Sequence, residues 1–349
     1  MSGRIEQKSR INYYDIAKGI GIILVVLAHG EGVFMGHIYQ FHMPLFFLIS
    51  GLLYSNKSSV KDFVKRKFYS LYIPFVFWNL FFHLFISIYT SADIKSVIIK
   101  SFRIIFTLDK DGQFLGATWF LGALFVISVL YKILDYFLRN SKQNDFILLL
   151  VFLIFSIFGF IVTLPYHISR TLILGAFYSI GALYKKRKNN IDLLDNKYRM
   201  LALFSFIIFM IIGYFNRCDM GQNEYKYPVL FFIGAVMASY SLIYFCKLLD
   251  NSKAKVIMTI KRVLIYLGKR SIDIVIWQFV AFRIVIITQM ILNNEEITIH
   301  NILAYNNLYS GNNGWWIVYT IVGIIVPLLW CNFLRLGLWG KILKRIHAV

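Results

Sequence analysis

Asp15, Lys18, His29 and His42 stand close together near the start of the chain, and between them they offer a carboxylate, an ammonium and two imidazoles. The first three belong to the run from Asp15-Ile-Ala-Lys18 to His29. The fourth belongs to Phe41-His42-Met-Pro44-Leu-Phe-Phe-Leu-Ile-Ser50-Gly51. Both runs are apolar enough to enter a bilayer, where an ionisable group is costly and marks a candidate functional site. On a helix, the eleven steps from Lys18 to His29 return to within about 20° of one face and rise roughly 16 Å. One stripe thus carries a cation near one surface and an imidazole near the other. An imidazole serves as base or hydrogen-bond partner, and a cation holds an anion such as phosphate. The plainer reading pairs Lys18 with Asp15 one turn back and makes both histidines interfacial residues capping helix ends.

Other residues add to this set. Lys65-Arg66-Lys67 lie just beyond the second apolar run, where basic residues usually mark topology but also suit an anionic donor. Arg283 lies near the middle of a later apolar run, after Trp277-Gln278, and at that depth it has to point into a bundle. Trp119 opens the fourth run, at a position typical of interfacial aromatics. There is no phosphate-binding glycine loop, nucleophile elbow, dinucleotide fingerprint or metal-ligand spacing. The three cysteines, Cys218, Cys246 and Cys331, are scattered and form no framework.

These residues must be held by membrane helices. Of 349 residues, 58% are hydrophobic and 15% charged, with mean hydropathy +0.65, a balance that excludes a soluble domain. The net charge of +20 reflects basic residues crowded into one set of loops and calls for no nucleic acid. Ten spans are predicted: 11–34, 38–54, 69–92, 115–137, 146–164, 170–184, 198–215, 227–246, 271–292 and 314–336. With the N-terminus inside, the inner segments, 247–270 among them, hold 26 Lys and Arg and the outer segments 7, which places both termini in the cytoplasm. Residues 94–106 repeat apolar positions at helical spacing and are expected to lie along the interface. The expected fold is all-α, a polytopic bundle of about ten transmembrane helices. It is read as one domain, 11–336, with short cytoplasmic tails at 1–10 and 337–349, and no internal repeat.

Asp15-Ile-Ala-Lys18-Gly19 with His29 resembles the opening of the acyltransferase family 3 membrane proteins, in which a basic residue, ten spacers and a histidine share the first helix. Phe41-His-Met-Pro-Leu-Phe-Phe-Leu-Ile-Ser-Gly51 is similar to that family's second-helix signature. Lys65-Arg66-Lys67 ahead of Pro74 resembles its basic loop, and Trp119-Phe-Leu its fourth-helix motif. Leu267-Gly-Lys-Arg-Ser271 through Trp277-Gln278-Phe resembles a late segment that more often ends in histidine. Lys18 stands where arginine is commoner, keeping the charge but losing the bidentate fork. The resemblance implies a multi-pass protein of the bacterial plasma membrane that moves an acetyl or other short acyl group from acyl-CoA to a carbohydrate hydroxyl. The acceptor would be a capsule, O-antigen or exopolysaccharide unit. No cofactor is tightly bound and no metal is needed; acetyl-CoA is the donor substrate. Lys18, Lys65, Arg66 and Lys67 are expected to bind the donor, His29, His42 and Arg283 to act in catalysis, and Asp15, Trp119 and Gln278 to support them. The competing expectation is a transporter or flippase for an anionic solute or a lipid-linked sugar, using the same buried charges as a pathway.

Overall fold

The computed structural model describes residues 12–110, 112, 114–187, 194–305 and 308–348; the predicted tail 1–10 and Ile11 lie outside them. Long apolar sequences become helices because only a helix or a closed barrel satisfies every backbone polar group in lipid. The chain opens with an antiparallel pair, α1 (Asn12–His29) and α2 (Met35–Leu52), then α3 (Val60–Lys67) runs through a wide turn at 68–72 into α4 (Ile73–Tyr89). Next come α5 (Ile94–Phe102), α6 (Trp119–Leu138), α7 (Asn144–Ile161), α8 (Ile168–Arg187) and α9 (Asn196–Phe215). A two-stranded hairpin, β1 (Cys218–Asp219) and β2 (Glu224–Tyr225), precedes α10 (Pro228–Asn251) and α11 (Lys255–Lys269). The chain continues with α12 (Ser271–Leu292), α13 (Ile299–Ala304), α14 (Trp315–Leu334) and α15 (Gly337–Arg345).

Each predicted span falls on a helix. Among the described residues, seven are long and apolar enough to cross a membrane: the α3–α4 rod, α6, α7, α9, α10, α12 and α14. The three that fall short are α1, α2 and α8, and the reason is what they carry. Asp15, Gln40, His42, Ser169, Arg170 and Thr171 are all buried on them. These helices sit inside the bundle, α2 packed on α8 and α1 on α11. The apolar helices α7, α9 and α14 lie outside, burying only 22–28% of their most apolar stretch and leaving Ile161, Phe204 and Leu329 exposed.

Two glycine contacts set this inner layer. A methyl group on Gly19 of α1 would overlap the Leu264 carbonyl of α11, and one on Gly268 would overlap the Asp15 carbonyl. Gly51 of α2 and Gly181 of α8 face each other in the same way, against the carbonyls of Tyr178 and Leu48. Without side chains at these points the helix backbones approach closely, the usual device for packing helices in lipid.

Two segments outside the predicted spans are folded onto the bundle. Segment 247–270, counted as an inner segment, is mostly helical. Its α11 buries Leu264 and Leu267 against α1 while Lys261 pairs with Asp250 at 2.8 Å. The segment 337–349, expected as a short tail, is held against the bundle over its described part. After α15, the Ala348 carbonyl accepts from Trp78 Nε1 at 2.9 Å, and His347 packs on Tyr69. Segment 94–106 is helical as predicted, with Ile94, Ile98 and Phe102 exposed along one side of α5.

Candidate active site

His29 ends α1, and His42 stands two turns into α2. Because the two helices are antiparallel and joined by a short loop, both rings reach the same end of the bundle, opposite Lys18. There they line one cavity of about 130 Å³. Its walls come from segments far apart in sequence. Tyr39, Met43 and Phe46 come from α2, Val275 and Phe279 from α12, and Trp119 and Phe120 from α6. Lys110 and residues 219–222 of the hairpin turn close it. The volume corresponds to a few water molecules, enough for a hydroxyl meeting a short acyl group.

Both imidazoles are held in one tautomer. His42 Nδ1 donates to the Ile38 carbonyl at 2.7 Å. His29 Nδ1 lies 3.2 Å from Gln278 Oε1, while Gln278 Nε2 donates to the Val275 carbonyl at 3.4 Å. Both partners of the two Nδ1 atoms are oxygens that only accept, so Nδ1 carries the proton in each ring. Nε2 is then left with its lone pair, the form a general base requires. Phe279 packs against His29, with ring centroids 4.9 Å apart, and fixes its plane.

A second set of contacts places the walls. Asn79 of α4 donates to Thr118 Oγ1 at 3.1 Å, and Thr118 donates to the Leu115 carbonyl at 2.7 Å. This locks the turn that aims Trp119. Gln40 of α2 donates to the Asn216 carbonyl at 2.8 Å, and Asn216 Oδ1 accepts from Tyr227 N at 3.0 Å, which docks the β1–β2 hairpin beside the cavity. Asp219 is turned toward its own loop, accepting from Gly221 N at 2.7 Å.

The structure brings His29, His42, Gln278 and Trp119 together. Trp119 is buried, so it is no belt residue. Asp15 and Lys18 form an ion pair at 2.7 Å, with Asp15 buried and Lys18 one-fifth exposed. Lys65 and Arg66 are exposed on α3, which packs chiefly on α6, whereas α1 packs chiefly on α11, α2 and α10. Arg66 donates to Ser58 Oγ at 2.8 Å, and Arg66 and Lys67 both flank the Phe63 ring. At the same end, Lys57, Lys132, Arg139, Lys142 and Lys186 line a cavity of about 870 Å³. Arg283 points into the bundle as depth requires; its Nη1 donates to the carbonyls of Ile302 and Tyr305, and it is not among the residues that line the histidine cavity. Those carbonyls belong to α13 and the residue after it, so Arg283 ties that short helix to α12.

Several wall residues left little trace in the sequence. Gln40 and Tyr39 are ordinary residues between two motifs. The hairpin shows only as turn composition, Asp219-Met-Gly221-Gln-Asn223, with Asn223 at φ 61°.

A family profile described as an acyltransferase domain matches residues 11–331. The chain is 33% identical over 146 residues to the nodulation protein NolL of Mesorhizobium japonicum, and 31% identical over 145 residues to that of Sinorhizobium fredii. These matches cover 37% of this chain and 37–38% of the relatives, so the chain spans little more than a third of the curated relatives it matches. No solved structure matches it with significance.

Proposed function

The chain belongs to acyltransferase family 3, and on that premise we propose that it transfers an acetyl or similarly short acyl group from acyl-CoA to a carbohydrate hydroxyl. The observation that carries this reading is the pair of imidazoles, each with Nδ1 bound to an acceptor oxygen, lining one small cavity. With the N-terminus inside, that cavity lies toward the outer surface, and Lys18 and the basic residues of α3 lie toward the cytoplasm. Acyl-CoA docks from the cytoplasm with its phosphates among these cations, and its acyl end crosses the roughly 16 Å from Lys18 to His29. Lys57, Lys132 and Arg139 line a cavity beside α3, together with Asp135 and Asp145, and offer further cations on that side.

At the cavity, His29 Nε2 takes the proton from the acceptor hydroxyl. The oxygen attacks the thioester carbonyl, a C–O bond forms, and the tetrahedral intermediate collapses with cleavage of C–S. The thiolate leaves and takes the proton back from His29, giving CoA and the ester. Gln278 holds His29 in the required tautomer. Lys110, at the cavity wall, adds a positive field for the oxyanion. The Asp15–Lys18 pair leaves Lys18 partly exposed and able to share its charge with phosphate.

The test compares surface polysaccharide from cells carrying the wild-type gene, no gene, or His29→Ala. Ester-linked acetyl is expected only with wild type, and the variant is expected to accumulate in the membrane while losing roughly 10²–10⁴-fold in activity. Equal acetylation in all three strains overturns the reading. Solute movement without CoA release would favour the transporter.

A further inference from the structure

Beside the cavity, behind Trp119, lies a polar cluster that the acyl-transfer chemistry leaves unused. The Arg170 guanidinium stacks over the Trp119 ring at 4.9 Å from its centroid, and the His167 ring centre is 6.4 Å from the same ring. Arg170 is more than nine-tenths buried. Among the described residues, Arg170 Nη1, His167 Nε2 and the Tyr225 hydroxyl are buried with no hydrogen-bond partner. These atoms come from three places in the chain: the loop after α7, the first turn of α8, and β2.

A buried polar atom without a partner costs about 1–3 kcal/mol, and a charged one more, so three together call for something to bind there. The sign of the field says what. No carboxylate among the described residues is ion-paired to Arg170. Asp219 and Asp109 are the nearby acids; Asp219 Oδ1 is turned to the amides of Gly221 and Gln222, and Asp109 is paired with Lys100 at 2.7 Å. Further cations stand around the cluster. Lys110 lines the cavity, and Arg103 lies over the Tyr166 ring at 6.0 Å. An anion bound here would meet a guanidinium, a phenol hydroxyl and an imidazole in a site walled by an indole.

We propose that Arg170, His167 and Tyr225 form a subsite for the carboxylate of an acidic sugar in the acceptor, placing the neighbouring hydroxyl against His29 across Trp119. The proposal rests on the acyltransferase reading, since it makes the acceptor an anionic carbohydrate. It also accounts for Trp119, whose ring offers an apolar face to the sugar while the guanidinium holds the charge.

The experiment measures binding of short oligogalacturonate, oligoglucuronate and oligosialate to the full chain in nanodiscs, each beside its carboxyl-reduced, neutral counterpart. At least one acidic member is expected to bind roughly tenfold or more tighter than its reduced form. Arg170→Gln is expected to erase that preference, and Tyr225→Phe, which removes one hydroxyl from a side chain of unchanged shape, to weaken it severalfold. Arg170→Lys is expected to retain part of it. Thermal unfolding of each variant checks that it is folded; if Arg170→Gln is not, Tyr225→Phe and Arg170→Lys decide. The proposal is overturned if no acidic member outbinds its reduced form, or if the preference survives loss of Arg170 and of the Tyr225 hydroxyl. CoA release from acetyl-CoA is read in parallel. A charge preference without His29-dependent CoA release would sink the transferase reading and leave the anion subsite. CoA release with no charge preference would do the reverse.

Discussion

Gln278 governs the state of His29 through one hydrogen bond. Its amide oxygen accepts from Nδ1, so the proton is kept off Nε2. Replacing it with leucine removes the acceptor and frees the ring to turn, and kcat is expected to fall roughly 10²-fold with little change in the KM for acyl-CoA. Gln278→Glu keeps an acceptor and is expected to retain most of the rate. Steady-state kinetics on both variants checks this, and equal rates for leucine and glutamate would remove Gln278 from the mechanism. His167 gives a prediction about acid. Burial, helped by the charges of Arg170 and Lys110, pushes its imidazole from the ordinary 6.5 down to about 3. The unfolded chain therefore takes up a proton as pH falls through about 6.5, while the folded chain stays neutral there until about 3. This contribution to stability is complete above that range and is lost as pH drops through it. Thermal unfolding in detergent is expected to weaken between pH 7.5 and 5, and His167→Gln to flatten the slope; an unchanged slope in the variant would assign the acid sensitivity elsewhere.

At the scale of elements, the site depends on how closely the inner helices approach. Gly51 and Gly181 let α2 meet α8, and Gly19 and Gly268 let α11 brace α1, the two helices that carry the histidines. A leucine at Gly181 or Gly268 has backbone carbonyl in its way, which cannot move aside as a side chain does. Overpacking of this kind costs about 1–3 kcal/mol or more. Both variants are expected to lower the unfolding temperature and the yield of folded protein. Gly112→Ala, where an added methyl meets nothing within 4 Å, is expected to be within about 0.5 kcal/mol of wild type. Equal stability of all three variants would mean the crossings are looser than the contacts imply.

For the whole molecule, the directional reading rests on sidedness. With the termini inside, the turn of the β1–β2 hairpin faces outward and the loop between α6 and α7 faces the cytoplasm. In a chain cleared of Cys218, Cys246 and Cys331, a membrane-impermeant maleimide applied to intact cells is expected to label Asn223→Cys and to spare Lys142→Cys. The opposite pattern would turn the molecule over and place the histidine cavity on the donor side. That result would keep the acyl transfer and discard the crossing of the bilayer.

Helix positions were legible from the amino-acid sequence because hydropathy over twenty residues is a local property, and all ten predicted spans fall on helices. The histidines were legible as a pair because two antiparallel helices with a short turn leave little choice about which ends meet. What the sequence left open is what only packing decides. Gln278 is 249 residues from His29, and nothing in a single chain signals a hydrogen bond over that separation. The same holds for Asn79 with Thr118 and for Gln40 with Asn216, which shape the cavity through contacts between distant elements. Arg283 shows the converse. Its depth told that it must face inward, but the bundle interior offers many partners, and two backbone carbonyls beside α13 took the charge. Segment 247–270 read as an inner segment because of its Lys and Arg; the surface of α1 left bare at Gly19 is what packs the apolar face of α11.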